Sequence, residues 1–153
     1  MKNALIISIA IITLMISGCK ERSDKKELIF PKGEKISNTN FTGTAWLNTL
    51  VEGDSSNQNS VSSVTFEAGA RTKWHSHPAG QIILALNGKG YYQEKGKSKI
   101  TIKKGDVITC KPDIPHWHGA SSDSEFVQIA ITGREKGPTL WLEEVRNEVY
   151  NAK

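Results

Sequence analysis

Cysteine is scarce: Cys19 and Cys110 are the two in 153 residues, so no disulfide framework holds this chain together. No segment repeats at the period of roughly 20–50 residues that marks solenoids and propellers. No apolar run reaches the about 20 residues a membrane-spanning helix needs. Aromatic residues are only 7%. The formal charge of +4 is not accompanied by any RNA- or DNA-binding motif. Its lysines gather near the leader and on one hairpin (Lys95, Lys97, Lys99, Lys103, Lys104), which reads as a solvated face rather than a nucleic-acid surface. What the chain does have is 13 Gly and 5 Pro set between short apolar runs, in a length that suits one domain. That pattern is all-β.

The N-terminus fixes the expected compartment. Lys2 precedes an apolar stretch from Ala4 to Ser17, the length of a signal-peptide core and too short to span a bilayer. Ile16-Ser17-Gly18-Cys19 resembles a bacterial lipobox. The resemblance implies removal of residues 1–18, lipidation of Cys19, and a bacterial cell-envelope protein anchored to a membrane with its domain on the non-cytoplasmic side. Because Lys2 is the one charge in the removed segment, the mature side chains carry +3. Cys110 is then unpaired, and in an apolar strand it reads as a small buried hydrophobe. Residues 19–29 form the lipidated Cys and a tether, nearly all charge from Lys20 to Glu27 and unable to bury surface. The folded domain is expected over 30–153.

Successive short strands follow. Thr42–Val51, Ser60–Glu67, Gln81–Leu86, the stretch from Tyr91, Ile100–Lys103, Val107–Cys110 and Glu125–Thr132 carry strand patterning. Asn87-Gly88 is a tight-hairpin signal. Eight or so such strands argue a sandwich or closed barrel. After Pro138, Leu140-Trp141-Leu142 adds an edge strand, and Glu143–Asn151 forms a short helix with Val145 and Val149 on one face. On Ser60–Glu67, alternation places Ser62, Val64 and Phe66 together, as candidates for the barrel mouth.

All four histidines fall into two pairs, His75-x-His77 and His116-x-His118. In a strand, residues i and i+2 face the same way about 6.5–7 Å apart. Two imidazoles so placed can tilt onto one metal at about 2.0–2.2 Å, and a second pair supplies a ligand from another direction. Gln81 shares the parity of the first pair, across the Pro78-Ala79-Gly80 turn. Trp74 and Trp117 flank the histidines with the opposite parity, which makes them core packing rather than substrate platforms.

These residues also carry a family resemblance. Gly69-x5-His75-x-His77-x3-Gln81-x6-Gly88 resembles the first cupin motif, with Gln in place of the usual Glu. Gly105-x5-Lys111-x-Asp113-x2-His116 resembles the second, with Lys111, Asp113 and Ala120 departing from it. More narrowly, Trp74–Gln81 and His116–Ala120 are similar to small single-domain cupins that include manganese-dependent hydroxynitrile lyases. The resemblance implies an all-β double-stranded β-helix, a jelly-roll barrel that is often a homodimer. It implies the metal ligands His75, His77, Gln81 and His116, with His118 beside the ion. Manganese comes first, with Fe, Ni, Co or Zn as alternatives. Such relatives often carry a further His where Gln128 stands, so the metal site carries over and a lyase step that uses that His does not.

Three imidazoles and an amide are all neutral, so a bound divalent ion keeps its full charge and is harder to oxidise than with a Glu ligand. Four protein ligands on an octahedral ion leave two positions for substrate, as a catalytic site needs. His118 is then either a catalytic general acid or base or a hydrogen-bonding residue that orients the site. The favoured reading is an enzyme of lyase, isomerase or dioxygenase type, acting on a small oxygenated or carbonyl-bearing molecule. The alternative is a lipoprotein that binds metal or a small molecule without turnover.

Overall fold

Short apolar stretches interrupted by glycine turns leave the chain no route to a core except by pairing strands edge to edge. The computed structural model describes residues 28–37 and 39–152. The expected signal segment 1–18, Cys19 and the tether as far as Glu27 lie outside the described residues. Twelve strands form among the described residues: β1 (Glu34–Lys35), β2 (Phe41–Thr42), β3 (Ala45–Val51), β4 (Asn59–Phe66), β5 (Arg71–Thr72) and β6 (His75–Ser76). They continue as β7 (Gln81–Glu94), β8 (Ile100–Lys103), β9 (Val107–Cys110), β10 (His116–Ala120), β11 (Phe126–Gly133) and β12 (Leu140–Trp141), followed by one helix, α1 (Asn147–Asn151). Every pairing is antiparallel, in the order β1-β3-β4-β11-β7-β10-β5-β2, with β8 and β9 also on β7, β6 on β10, and β12 on β6. The expected all-β barrel is what forms.

β7 holds the barrel together because both sheets share it. Its first half, Gln81 to Gly88, pairs with β11, and Gln81–Leu84 pairs with β9 on the other side. Its second half pairs with β8 and β10. Asn87-Gly88 therefore does not close a hairpin; the strand runs through it. Gly88 takes a φ of 75°, which re-aims the chain from one sheet to the other, opposite a register shift at Val127/Gln128. A side chain there would collide with the Glu125 carbonyl oxygen. Gly88→Ala is thus expected to cost about 3 kcal/mol, from left-handed strain plus overpacking. Gly96→Ala, also at positive φ but with nothing within 4 Å of the added carbon, pays for the strain alone. Thermal melts of the two variants decide it: equal melting temperatures would remove Gly88 from this role.

The barrel interior is filled by Val64, Phe66, Ile83, Ala85, Tyr92, Ile102, Cys110 and Phe126, none above 5% exposure. Trp74 and Trp117 turn to the opposite face and pack with Val145 and Tyr150, as their parity implied. The edge strand at Leu140–Trp141 is present, and the helix is shorter than expected. Its first turn is pre-empted: Leu142 N donates to Trp74 O and Trp74 N to Glu143 O, extending the strand edge. Arg71 then captures the Val145 carbonyl with Nε at 3.2 Å and Nη2 at 3.0 Å. Helix begins only after that carbonyl is spoken for.

Candidate metal centre

The two histidine pairs meet because β6 and β10 are antiparallel neighbours with His75 opposite His116. Alternation then carries His118 to the same side as His116, and His77 to the same side as His75. Ring centroids lie 4.4 Å apart for His75 and His116, 5.0 Å for His75 and His77, 5.2 Å for His75 and His118, and 5.5 Å for His77 and His116. One nitrogen each from His75, His116 and His118 can be chosen so that all lie within 4.8 Å of one another. None of the four rings is more than 4% exposed.

The outer nitrogens are anchored. Nδ1 of His75 lies 2.9 Å from Lys73 O and Nδ1 of His116 lies 2.8 Å from Ile114 O. A carbonyl only accepts, so each Nδ1 donates and each Nε2 keeps its lone pair. Nδ1 of His77 sits 3.1 Å from Thr139 Oγ1. The His118 backbone is gripped by Thr72 Oγ1, which donates to its carbonyl and accepts from its N–H, both at 3.2 Å. Nε2 of His77, Nε2 of His116 and Nδ1 of His118 are buried with no hydrogen-bond partner among the described residues.

Burial, reinforced by the neighbouring imidazoles, pushes His75 and His118 well below the ordinary histidine range. Burial also lowers His116. His77 falls to about 3, through burial first and then the charges of His116 and Arg134. The rings are held neutral, with unshared lone pairs turned on one another. That donor set fits a divalent cation: it is the one partner that satisfies several imidazole lone pairs at once without proton uptake.

Gln81 is buried at 7% exposure. Its Nε2 donates to Thr132 Oγ1 at 2.9 Å, while Oε1 accepts weakly from the Cys110 thiol at 4.0 Å and faces the His77 imidazole. Cys110 itself is pushed up to about 12, chiefly by burial, so its thiol stays protonated and inert, as its place in an apolar strand implied.

His75, His77, Gln81 and His118 line a pocket of about 110 Å³, with His116 behind them. Ser62 and Val64 form its wall, as expected of their face, and Phe66 packs edge-on against the His118 ring at 5.9 Å. A larger cleft of about 630 Å³ between β1, β3 and Trp141 carries no histidine and adjoins the pocket through Phe41, Leu47 and Trp141. Sequence reasoning did not find Arg134, Thr139 or Trp141 as pocket residues. Trp141, seen only as part of an edge strand, pairs with His75 across β12 and β6 and places its ring 4.9 Å from that imidazole. No local pattern signals the other two.

Gln128 stands apart. It is 0% exposed, and neither amide atom has a partner among the described residues. It faces the barrel interior, opposite Val64 and Ala85, in the same row of β11 as the pocket residues Ala130 and Thr132.

The family model described as "Cupin domain" matches residues 62–132. The chain is 39% identical over 111 residues to a protein of Granulicella tundricola named (R)-mandelonitrile lyase, covering 72% of this chain and 85% of that one. A solved structure of a cupin-like protein from Thermotoga maritima is similar at 46% identity with a TM-score of 0.77, over 81% of this chain and 95% of its own. A cupin-2 domain structure from Rhodospirillum rubrum, 14% identical with a TM-score of 0.63 over 77% and 80%, shares the fold alone.

Proposed function

The chain belongs to the cupin family, and on that premise we propose a divalent-metal enzyme of lyase or isomerase type acting on a small oxygenated or carbonyl-bearing molecule. One observation carries the reading: buried ring nitrogens of His75, His116 and His118 lie within 4.8 Å of one another, and Nε2 of His116 and Nδ1 of His118 have no partner among the described residues. His75, His77, Gln81 and His116 would hold the ion, with His118, which completes the close nitrogen group of His75 and His116, beside it; the ion would be manganese, with Fe, Ni, Co or Zn as the other candidates. When bound, such an ion supplies Lewis-acid polarisation of a substrate oxygen, undiminished by any ligand charge. The neutral ligand set favours this chemistry over dioxygenation, because it makes the ion harder to oxidise.

The chain's own residues supply the rest. His118 lines the pocket with its ring held neutral by burial, and it would be the general acid or base that faces the substrate. Thr72 fixes the backbone that carries it, and Phe66 packs against its ring. Trp141 closes the side of His75. The similarity to a protein named (R)-mandelonitrile lyase supports the lyase class. The lipobox-like segment supports anchoring at Cys19 to a membrane of the cell envelope, which release of a Cys19→Ser variant into the soluble fraction would test. The same family resemblance supports a homodimer.

The decisive experiment combines elemental analysis with turnover of small cyanohydrins and hydroxy-carbonyl compounds. Wild type is expected to hold one ion per chain. His118→Ala keeps the ion and loses about 10²–10⁴-fold in turnover, the range for a proton-transfer group. Full turnover in His118→Ala would remove it from catalysis. An ion without turnover in wild type would leave the barrel a receptor.

A further inference from the structure

We infer that this pocket takes a short carboxylic acid, its carboxylate held by Arg134 at the mouth and its oxygenated carbon turned inward to the histidines. The inference rests on the metal-enzyme reading only for what meets the inner end of the substrate.

Arg134 is the one charged side chain among the lining residues, and no carboxylate lines the pocket beside it. Its Nε donates to Ser60 Oγ at 2.9 Å and its Nη1 to Thr139 Oγ1 at 3.2 Å. Both partners are neutral hydroxyls. They hold the planar guanidinium in place without cancelling its charge, and the remaining N–H donors of its five are uncommitted. Among the described residues every ion pair is made by a lysine, and Arg134 joins none. An oriented guanidinium with spare donors matches a carboxylate, which it grips through two parallel hydrogen bonds where a neutral group takes one. Thr139 links this cation to the centre, since its hydroxyl also lies 3.1 Å from His77 Nδ1.

Charge and size narrow the class. The inner wall is neutral imidazole and amide, so nothing there repels an anion, and the field along the pocket is positive toward its mouth. The inner pocket of about 110 Å³ is smaller than the about 150 Å³ cavity that accepts benzene, so a ligand lying wholly within it is short, while the cleft of about 630 Å³ adjoins it through Phe41, Leu47 and Trp141. Short 2-hydroxy and 2-oxo acids meet both conditions, with the second oxygen available to the inner end.

The test uses calorimetric binding to the full protein, with metal content measured on the same samples. Probes are glycolate, lactate and pyruvate, each against its amide. Acids are expected to bind wild type more tightly than their amides. Arg134→Gln should weaken the acids by roughly twofold to fivefold, the worth of an ion pair at a solvent-exposed guanidinium, and leave the amides unmoved. Arg134→Lys, which keeps the charge and loses the fork, should fall between. Any of three results overturns the inference: acids no tighter than amides, acids unmoved by Arg134→Gln, or acids and amides weakened alike. Absence of binding by every acid overturns it too. Failure of the metal reading shows separately, as missing ion in samples that still prefer acids through Arg134.

Discussion

Stripped of metal by a chelator, the protein is expected to lose stability on mild acidification, by up to about 1.4 kcal/mol per pH unit below 6.5 for each imidazole that the fold keeps neutral. The four imidazoles are the reason. Each is buried and lowered in the fold, His77 to about 3. In the unfolded chain all four titrate near 6.5. Below that pH the unfolded state takes up protons that the folded state refuses. The stability from keeping these rings neutral is complete above 6.5 and is lost as pH falls from there, for His77 down to about 3. Each ring that stays neutral contributes up to about 1.4 kcal/mol per unit, against a typical total stability of about 5–15 kcal/mol. Metal acts in the opposite direction, adding about 4 kcal/mol at a thousandfold excess over its dissociation constant. Urea denaturation at pH 7.5, 6 and 5, with chelator and with manganese, measures both. A flat profile with chelator would mean that the rings are not confined together.

The histidine cluster was legible in the sequence because strand alternation is a local rule: residues two apart share a face whatever the rest of the chain does. The same rule placed Ser62 and Val64 on the pocket wall and sent Trp74 and Trp117 to the opposite core. Gly88 shows where local reading stops. A positive-φ glycine after Asn serves a hairpin or a bend in a continuing strand equally well, and only the partners of β7 choose between them. Strands β1, β2, β5, β6 and β12 are two residues each, too short to carry a pattern and defined by the neighbour they touch. Arg134 and Thr139 reach the pocket because β11 and β12 return to β4 and β6, a closure that no spacing encodes. The truncated helix has a similar cause, since the side chain that takes the Val145 carbonyl lies 74 residues away.

Gln128→Leu should make the metal-free protein more stable by about 1–3 kcal/mol while reducing catalytic efficiency at least about tenfold. Most substitutions of a fully buried residue destabilise, and the reversal here comes from the amide. It has been taken out of water, both of its polar atoms lack a partner among the described residues, and its neighbours across the sheet are Val64 and Ala85. An unsatisfied buried polar group costs about 1–3 kcal/mol, and leucine fills a similar volume without that cost. Gln128 lies behind the pocket wall in the row of Ala130 and Thr132, and we propose that it is kept for a bound substrate, to which its amide would offer N–H donors and a carbonyl acceptor. An amide does not titrate over the working range, so it cannot share proton transfer with His118. Denaturation and kcat/KM on the same preparations test both halves. A less stable Gln128→Leu would show that the amide has partners within the barrel, and an undiminished kcat/KM would show that it never meets the substrate.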